Sequence, residues 1–112
     1  GVGGTVTIST DGDVAYDGVN AYPGSKTPSA ATFQVRGESD KHFYAELPKE
    51  IEIRNENDEE MVVNGFTIDS EEDYTLDKKG QDVLTIGATL NVKANQDAGF
   101  YKGEFRVMVN YN

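Results

Sequence analysis

Histidine and cysteine, on which many catalytic and metal sites depend, are nearly missing from this 112-residue chain. It contains one histidine, His42, and no cysteine, which excludes disulfides, zinc–thiolate sites and thiol nucleophiles. A catalytic triad built on His42 would need marked serine and aspartate partners, and the chain has no G-x-S-x-G nucleophile motif. We therefore expect His42, beside Lys41 at the start of a strand, to be a solvated side chain. We expect the protein not to be an enzyme.

Carboxylates are abundant, with twenty Asp and Glu against ten Lys and Arg. A glycosidase needs two positioned carboxylates, whereas here they fall in runs such as residues 58–60 and 69–73, as in solvated loops. Two loop clusters, Asp11 with Asp13 and Asp69 with Asp73, offer the oxygen ligands that calcium prefers. Neither fits an EF-hand loop, and the first is also an ordinary hairpin turn. We favour plain turns over a calcium site and expect no metal and no cofactor.

Three tyrosines in turn-rich regions, Tyr16, Tyr22 and Tyr74, are candidates for a platform on which sugar rings stack. No cluster of polar residues accompanies them, and tyrosines scattered in this way also serve as loop anchors. An adhesive module whose loops bind a glycan or a host protein is therefore kept as the alternative function.

The formal net charge of −10 repels phosphate, so nucleic acid is not an expected partner. No apolar run approaches the roughly 20 residues that span a bilayer, and no apolar signal-peptide core stands at the start. Because the sequence begins Gly1-Val2-Gly3-Gly4 without Met, we interpret it as a processed or trimmed product.

Short segments of alternating apolar and polar residues, separated by Gly, Pro, Asn and Asp, predict an all-β fold of antiparallel strands. We predict strands at 5–9, 31–36, 42–47, 50–54, 61–68, 83–88, 90–92 and 104–111. We expect a bend or bulge at Asn64-Gly65, and we expect Gly87 or a turn beside it to separate strands 83–88 and 90–92. No segment has helical periodicity, and residues 1–112 are expected to form a single domain. The predicted core comprises Phe33, Val35, Phe43, Leu47, Ile51, Ile53, Val63, Ile86, Leu90, Phe105, Val107 and Val109.

Several motifs in one order resemble a family of secreted bacterial domains of unknown function related to spore coat protein U and the fimbrial subunits. They are G-G-T-V-T-I-S-T-D-G (Gly3 to Gly12), T-F-Q-V-R-G-E (Thr32 to Glu38), F-Y-A-E-L-P-K-E-I-E-I (Phe43 to Ile53) and T-L-D-K-K-G (Thr75 to Gly80). The most specific is the ending, I-G-A-T-L-N-V-K-A-N-Q-D-A-G-F-Y-K-G-E-F-R-V-M-V-N-Y (Ile86 to Tyr111).

The resemblance implies an immunoglobulin-like antiparallel β-sandwich of pilin or coat-protein type, exported and located outside the cell at its surface. Such subunits assemble into a filament or coat when a strand from a neighbour completes an incomplete sandwich. The expected partners are other copies of the chain, a related subunit and an export chaperone.

The family usually carries a further strand before the segment that begins at Gly3, and the chain as given lacks that strand. We expect either that this strand is removed or that the chain takes its first strand from elsewhere. The terminal strand would then present an assembly groove for a strand from another chain, formed by Phe105, Val107, Val109 and Tyr111.

Overall fold

A computed structural model describes residues 3–19, 29–96, 103 and 107–111, and within these ranges the protein is all-β with no helix. We accordingly find, in this part of the chain, no helix with the length and hydropathy that crossing a membrane requires. The eight strands are β1 (Gly4–Ile8), β2 (Val14–Asp17), β3 (Ala31–Arg36), β4 (Phe43–Glu46), β5 (Glu50–Arg54), β6 (Glu60–Ser70), β7 (Gln81–Val92) and β8 (Met108–Tyr111).

The strands form two antiparallel sheets, one of six strands and one of two, as the predicted β-sandwich requires. β7 is the centre of the large sheet, because β6 pairs along one of its edges and two shorter strands share the other. β3 pairs with the first half of β7, residues 81–86, and β1 pairs with the second half, residues 88–92. β2 and β5 extend the sheet on either side, while β4 and β8 form the small sheet.

One face of the large sheet is apolar and lies inward, because strand residues alternate between the two faces. On β7 the inward positions are even-numbered, and on β6 they change parity at a β-bulge between Asn64 and Thr67. Gly65 sits in this bulge with φ of 60°, a conformation that glycine adopts without steric cost. The bulge predicted at Asn64-Gly65 is therefore confirmed, and it allows both Val63 and Phe66 to face inward.

The predicted break between strands 83–88 and 90–92 is wrong, since β7 continues through it. Gly87 causes no turn; it is required because a Cβ at this position would collide with the Ile8 carbonyl oxygen, where β1 ends against β7. The short strand β2 was not predicted, because its four residues V-A-Y-D carry only a weak alternating pattern.

The densest part of the core lies between the first half of β7 and the small sheet, and we call this the closed half of the molecule. Val35, Phe43, Leu76 and Leu84 form its buried cluster, with Leu76 and Leu84 fully buried. The partly buried hydrophobic residues that pack against the cluster are Phe33, Ala45, Ile68, Tyr74, Val107 and Val109.

Among the predicted core residues, Val35, Phe43, Val63 and Ile86 are buried. Half-buried side chains occur at Phe33, Leu47, Ile51, Ile53, Leu90, Val107 and Val109, while Phe105 lies outside the described residues. The predicted core omitted five buried residues: Val6, Ile8, Met61, Leu76 and Leu84.

Candidate functional site

An open apolar groove of about 370 Å³ lies on the inward face of the large sheet. Five strands of the large sheet contribute to it. The lining side chains are Ile8 from β1, Ala31 from β3, Ile51 and Ile53 from β5, Val63 and Phe66 from β6, and Ile86, Ala88 and Leu90 from β7. Ser29 and Gly103 complete the lining.

The groove runs along β7 from Ile86 to Leu90, beside the cluster of the closed half and mostly over the second half of the strand. Among the described residues, those of the small sheet that pack against the large sheet, such as Phe43 and Val109, lie over the first half of β7. In this region Val6, Ile8, Met61 and Val63 are buried. Ile51, Ile53 and Leu90, which also occupy inward positions, are half-buried. We call this region the open half.

The side chains that line the groove are mainly apolar, as in a surface that binds apolar groups. Among the lining residues that the structure describes, none has a titratable side chain, and Ser29 supplies the sole side-chain hydroxyl. Such a surface can take up apolar side chains from another segment, since burying them away from water is favourable.

Of the four residues predicted to form an assembly groove on the terminal strand, the structure describes the side chains of Val107 and Val109. Val107 and Val109 pack against the cluster of the closed half, and the backbone of Tyr111 pairs with Phe43. Phe105 lies outside the described residues. The terminal segment meets the groove at Gly103 instead, where an added Cβ would come within 2.9 Å of both the Glu52 carbonyl oxygen and Ile53 Cγ2.

The first calcium candidate is a tight turn between β1 and β2. Ser9 donates its hydroxyl to Asp11 and accepts a hydrogen bond from the Asp13 amide at 3.1 Å, while the Gly12 amide bonds the Ser9 carbonyl at 3.1 Å. The Ser9 hydroxyl, followed by the Asp13 amide, lowers the pKa of the Asp11 carboxyl. Gly12 has φ of 93°, as such a turn requires.

The second calcium candidate is organised by a residue that the sequence analysis missed. Asp82 is 2% exposed, and its carboxylate accepts hydrogen bonds from the Ser70 hydroxyl and from the Glu72 amide at 3.0 Å. Ser70 in turn accepts from the Tyr74 amide at 2.8 Å. Asp69 and Asp73 flank this network as exposed residues.

No group of three or more His, Cys, Asp or Glu side chains able to hold a metal ion occurs within the described ranges. The signal for Asp82 was nonetheless present in the sequence: it occupies an inward position of β7, in line with Leu84 and Ile86. A carboxylate in such a position must be satisfied by hydrogen bonds.

The remaining candidates lie apart from the groove. His42 is exposed and its Nδ1 lies 2.9 Å from the Thr75 hydroxyl. Tyr74 anchors its loop by packing edge-on against Phe43, with ring centroids 5.8 Å apart. Tyr16 is 39% exposed on β2, and Tyr22 lies outside the described residues, so Tyr16 and Tyr74 alone can be located.

The described residues form an antiparallel β-sandwich with an apolar groove on the inward face of its larger sheet. The chain belongs to the family described as Domain of unknown function (DUF4402), whose model matches residues 1–111. No curated protein and no solved structure matches the chain.

Proposed function

We propose that the protein is a structural subunit of an extracellular filament or coat, and that subunits join when a strand of one chain enters the apolar groove of another. The observation that carries this proposal is the groove itself, an apolar surface on the inward face of a sheet that the small sheet covers over one half. The partners would be other copies of the chain or a related subunit, delivered by an export chaperone.

The energetics favour an extended segment with alternating side chains as the occupant. In a strand every second residue points to one face, so such a segment presents apolar side chains to the groove and polar ones to water. Each large apolar side chain buried in this way contributes about 1.5–3 kcal/mol. Backbone hydrogen bonds to an edge strand add to this, as in other cases of strand addition.

The test uses a variant that fills the groove from within. Ala88 is half-buried in the lining, so Ala88→Leu places a larger side chain where the incoming strand would lie. Its neighbour Thr89 faces the opposite side of the same strand, and Thr89→Leu is the matched control.

Wild type and Thr89→Leu should bind peptides of alternating apolar and polar residues, as measured by a rise in melting temperature. At a hundredfold excess over Kd, binding stabilises by about 2.7 kcal/mol. Ala88→Leu should show no such rise, and sedimentation analysis should find that it forms fewer oligomers. The proposal fails if wild type is monomeric at high concentration and unaffected by every such peptide, or if Ala88→Leu behaves like wild type.

A further inference from the structure

The two methionines of the chain have different surroundings. Sulfur-containing side chains are the ones that peroxides oxidise most readily, and the chain contains Met61, Met108 and no cysteine. Met61 lies on the inward face of β6, opposite Ile53 of β5, and is only 8% exposed. Met108 is the first residue of β8 and is 57% exposed. The two thioethers therefore differ in their access to a reagent dissolved in water.

The register of the small sheet directs Met108 away from the core. Val107 and Val109, the residues on either side of it, pack against the cluster of the closed half. Because side chains alternate along a strand, Met108 lies on the outward face of the small sheet. It stands opposite the exposed Glu46, and Tyr44, which is 46% exposed, lies on the same face two residues earlier in β4. In the described part of the chain, this face holds two of the three exposed large hydrophobic side chains.

We propose that Met108 is a reversible oxidation site, at which a peroxide oxidises the thioether while the protein stays folded. In this reaction an electron pair on Met108 Sγ attacks one oxygen of hydrogen peroxide. The S–O bond forms as the O–O bond breaks, and the second oxygen leaves as water after proton transfer. The sulfur is oxidised to the sulfoxide and the peroxide is reduced. Met61 reacts slowly in the folded state, because the peroxide must first reach its buried sulfur.

The fold can accommodate the sulfoxide at Met108 and not at Met61. Oxidation turns an apolar side chain into a polar one. On the outward face the new oxygen is hydrated, whereas at Met61 it would be buried among apolar side chains, which is costly without a hydrogen bond. An exposed sulfoxide is also within reach of methionine sulfoxide reductases, which restore the thioether with one enzyme for each epimer. The oxidation is separate from the groove, which lies on the inward face of the large sheet.

The experiment is a time course of the purified, folded chain in hydrogen peroxide, followed by peptide mass spectrometry. Met108 should gain one oxygen at least about tenfold faster than Met61, because susceptibility follows exposure. In chain unfolded by urea, the two rates should agree within about twofold. Met108→Leu should abolish the fast reaction. Met61→Leu, a change of similar volume that cores tolerate, is the matched control and should keep it.

Two further measurements examine the oxidised chain. Its melting temperature should lie within about 3 °C of that of the untreated chain, as for a change on the surface. Treatment of the folded, oxidised chain with both methionine sulfoxide reductases and a thiol reductant should return Met108 to its original mass.

The proposal is overturned if Met61 and Met108 react equally fast in the folded chain. It is also overturned if unfolding accelerates the reaction of Met108 as much as that of Met61, since Met108 would then be shielded. An oxidised chain that melts at a much lower temperature, or a sulfoxide that resists both reductases in the folded chain, would make the oxidation a lesion instead of a reversible modification. None of these results depends on the groove, so the proposed strand addition is tested separately.

Discussion

The buried Asp82 carboxylate should be the polar group on which the folded state depends most. Asp82→Ala removes the acceptor of three hydrogen bonds: from the Ser70 hydroxyl, from the Glu72 amide at 3.0 Å and from the Val83 amide at 2.7 Å. Hydrogen bonds to a charged group are worth about 1.5–3 kcal/mol each. The Val83 bond is local to β7, so we count only the two that join different parts of the chain. The expected loss is then about 3–6 kcal/mol.

The loss also has a conformational part. Asp73 and Tyr74 have φ of 53° and 59°, a left-handed conformation that is costly for residues other than glycine. The Ser70 hydroxyl holds the Tyr74 amide, and Asp82 holds Ser70. Without Asp82 the loop should relax, which withdraws Tyr74 from Phe43.

Urea unfolding followed by circular dichroism measures the effect, since an unchanged slope with a lower midpoint reports lost stability. Asp82→Asn keeps one oxygen acceptor and should lose only about 1–2 kcal/mol. Asp69→Ala, exposed on the outward face of β6, is the control and should stay within about 0.5 kcal/mol of wild type. Our reasoning is refuted if Asp82→Ala is no less stable than Asp69→Ala.

Further expectations concern pH, metal and the core. Burial first, and then neighbouring aspartates, raise the pKa of Tyr74, so the folded state holds this proton more tightly than the unfolded chain. The stability that protonated Tyr74 contributes to the folded state is therefore complete below about pH 10. It is lost as the pH rises through the pKa of Tyr74 in the folded state. Tyr74→Phe should lose less stability than wild type across that window, whereas Tyr44→Phe, at a side chain 46% exposed, should follow wild type; equal losses in all three contradict this. EDTA should lower the melting temperature by less than about 10 °C, and a larger fall would indicate a structural calcium ion. Leu84→Ala should cost about 3 kcal/mol in urea unfolding, against about 0.5 kcal/mol or less for the exposed Thr32→Ala, and similar losses would contradict the core assignment.

Alternation of apolar and polar residues was sufficient to predict the all-β class and most strands, because one face of each strand is packed and the other is solvated. It worked best where both conditions hold, as in β3, whose bounds were predicted without error. It failed at Gly87, since a glycine within a strand and a glycine in a turn look alike in sequence. Only the approach of the Ile8 carbonyl oxygen distinguishes them.

The site was harder to predict for a different physical reason. Alternation tells which side chains face inward, but it does not tell which part of the inward face another sheet covers. Ile51 and Ile53 were predicted as core and do face inward, yet they line the groove and remain half-buried. Leu76 was missed because it lies outside any strand, although the loop that carries it packs it fully into the closed half.

The two halves of the inward face differ in the size of their side chains, and this difference supports strand binding. The closed half is filled by large residues, Phe43, Leu76 and Leu84, and is tied by the Asp82 network. Around the groove, Ala31 and Ala88 stand among larger isoleucines, and a leucine at either position would fill space that now lies open. A domain selected only for its own stability would gain from such filling, because buried apolar volume stabilises. In the proposed strand addition, the space beside these alanines would take up incoming side chains, while the buried cluster of the closed half supplies stability.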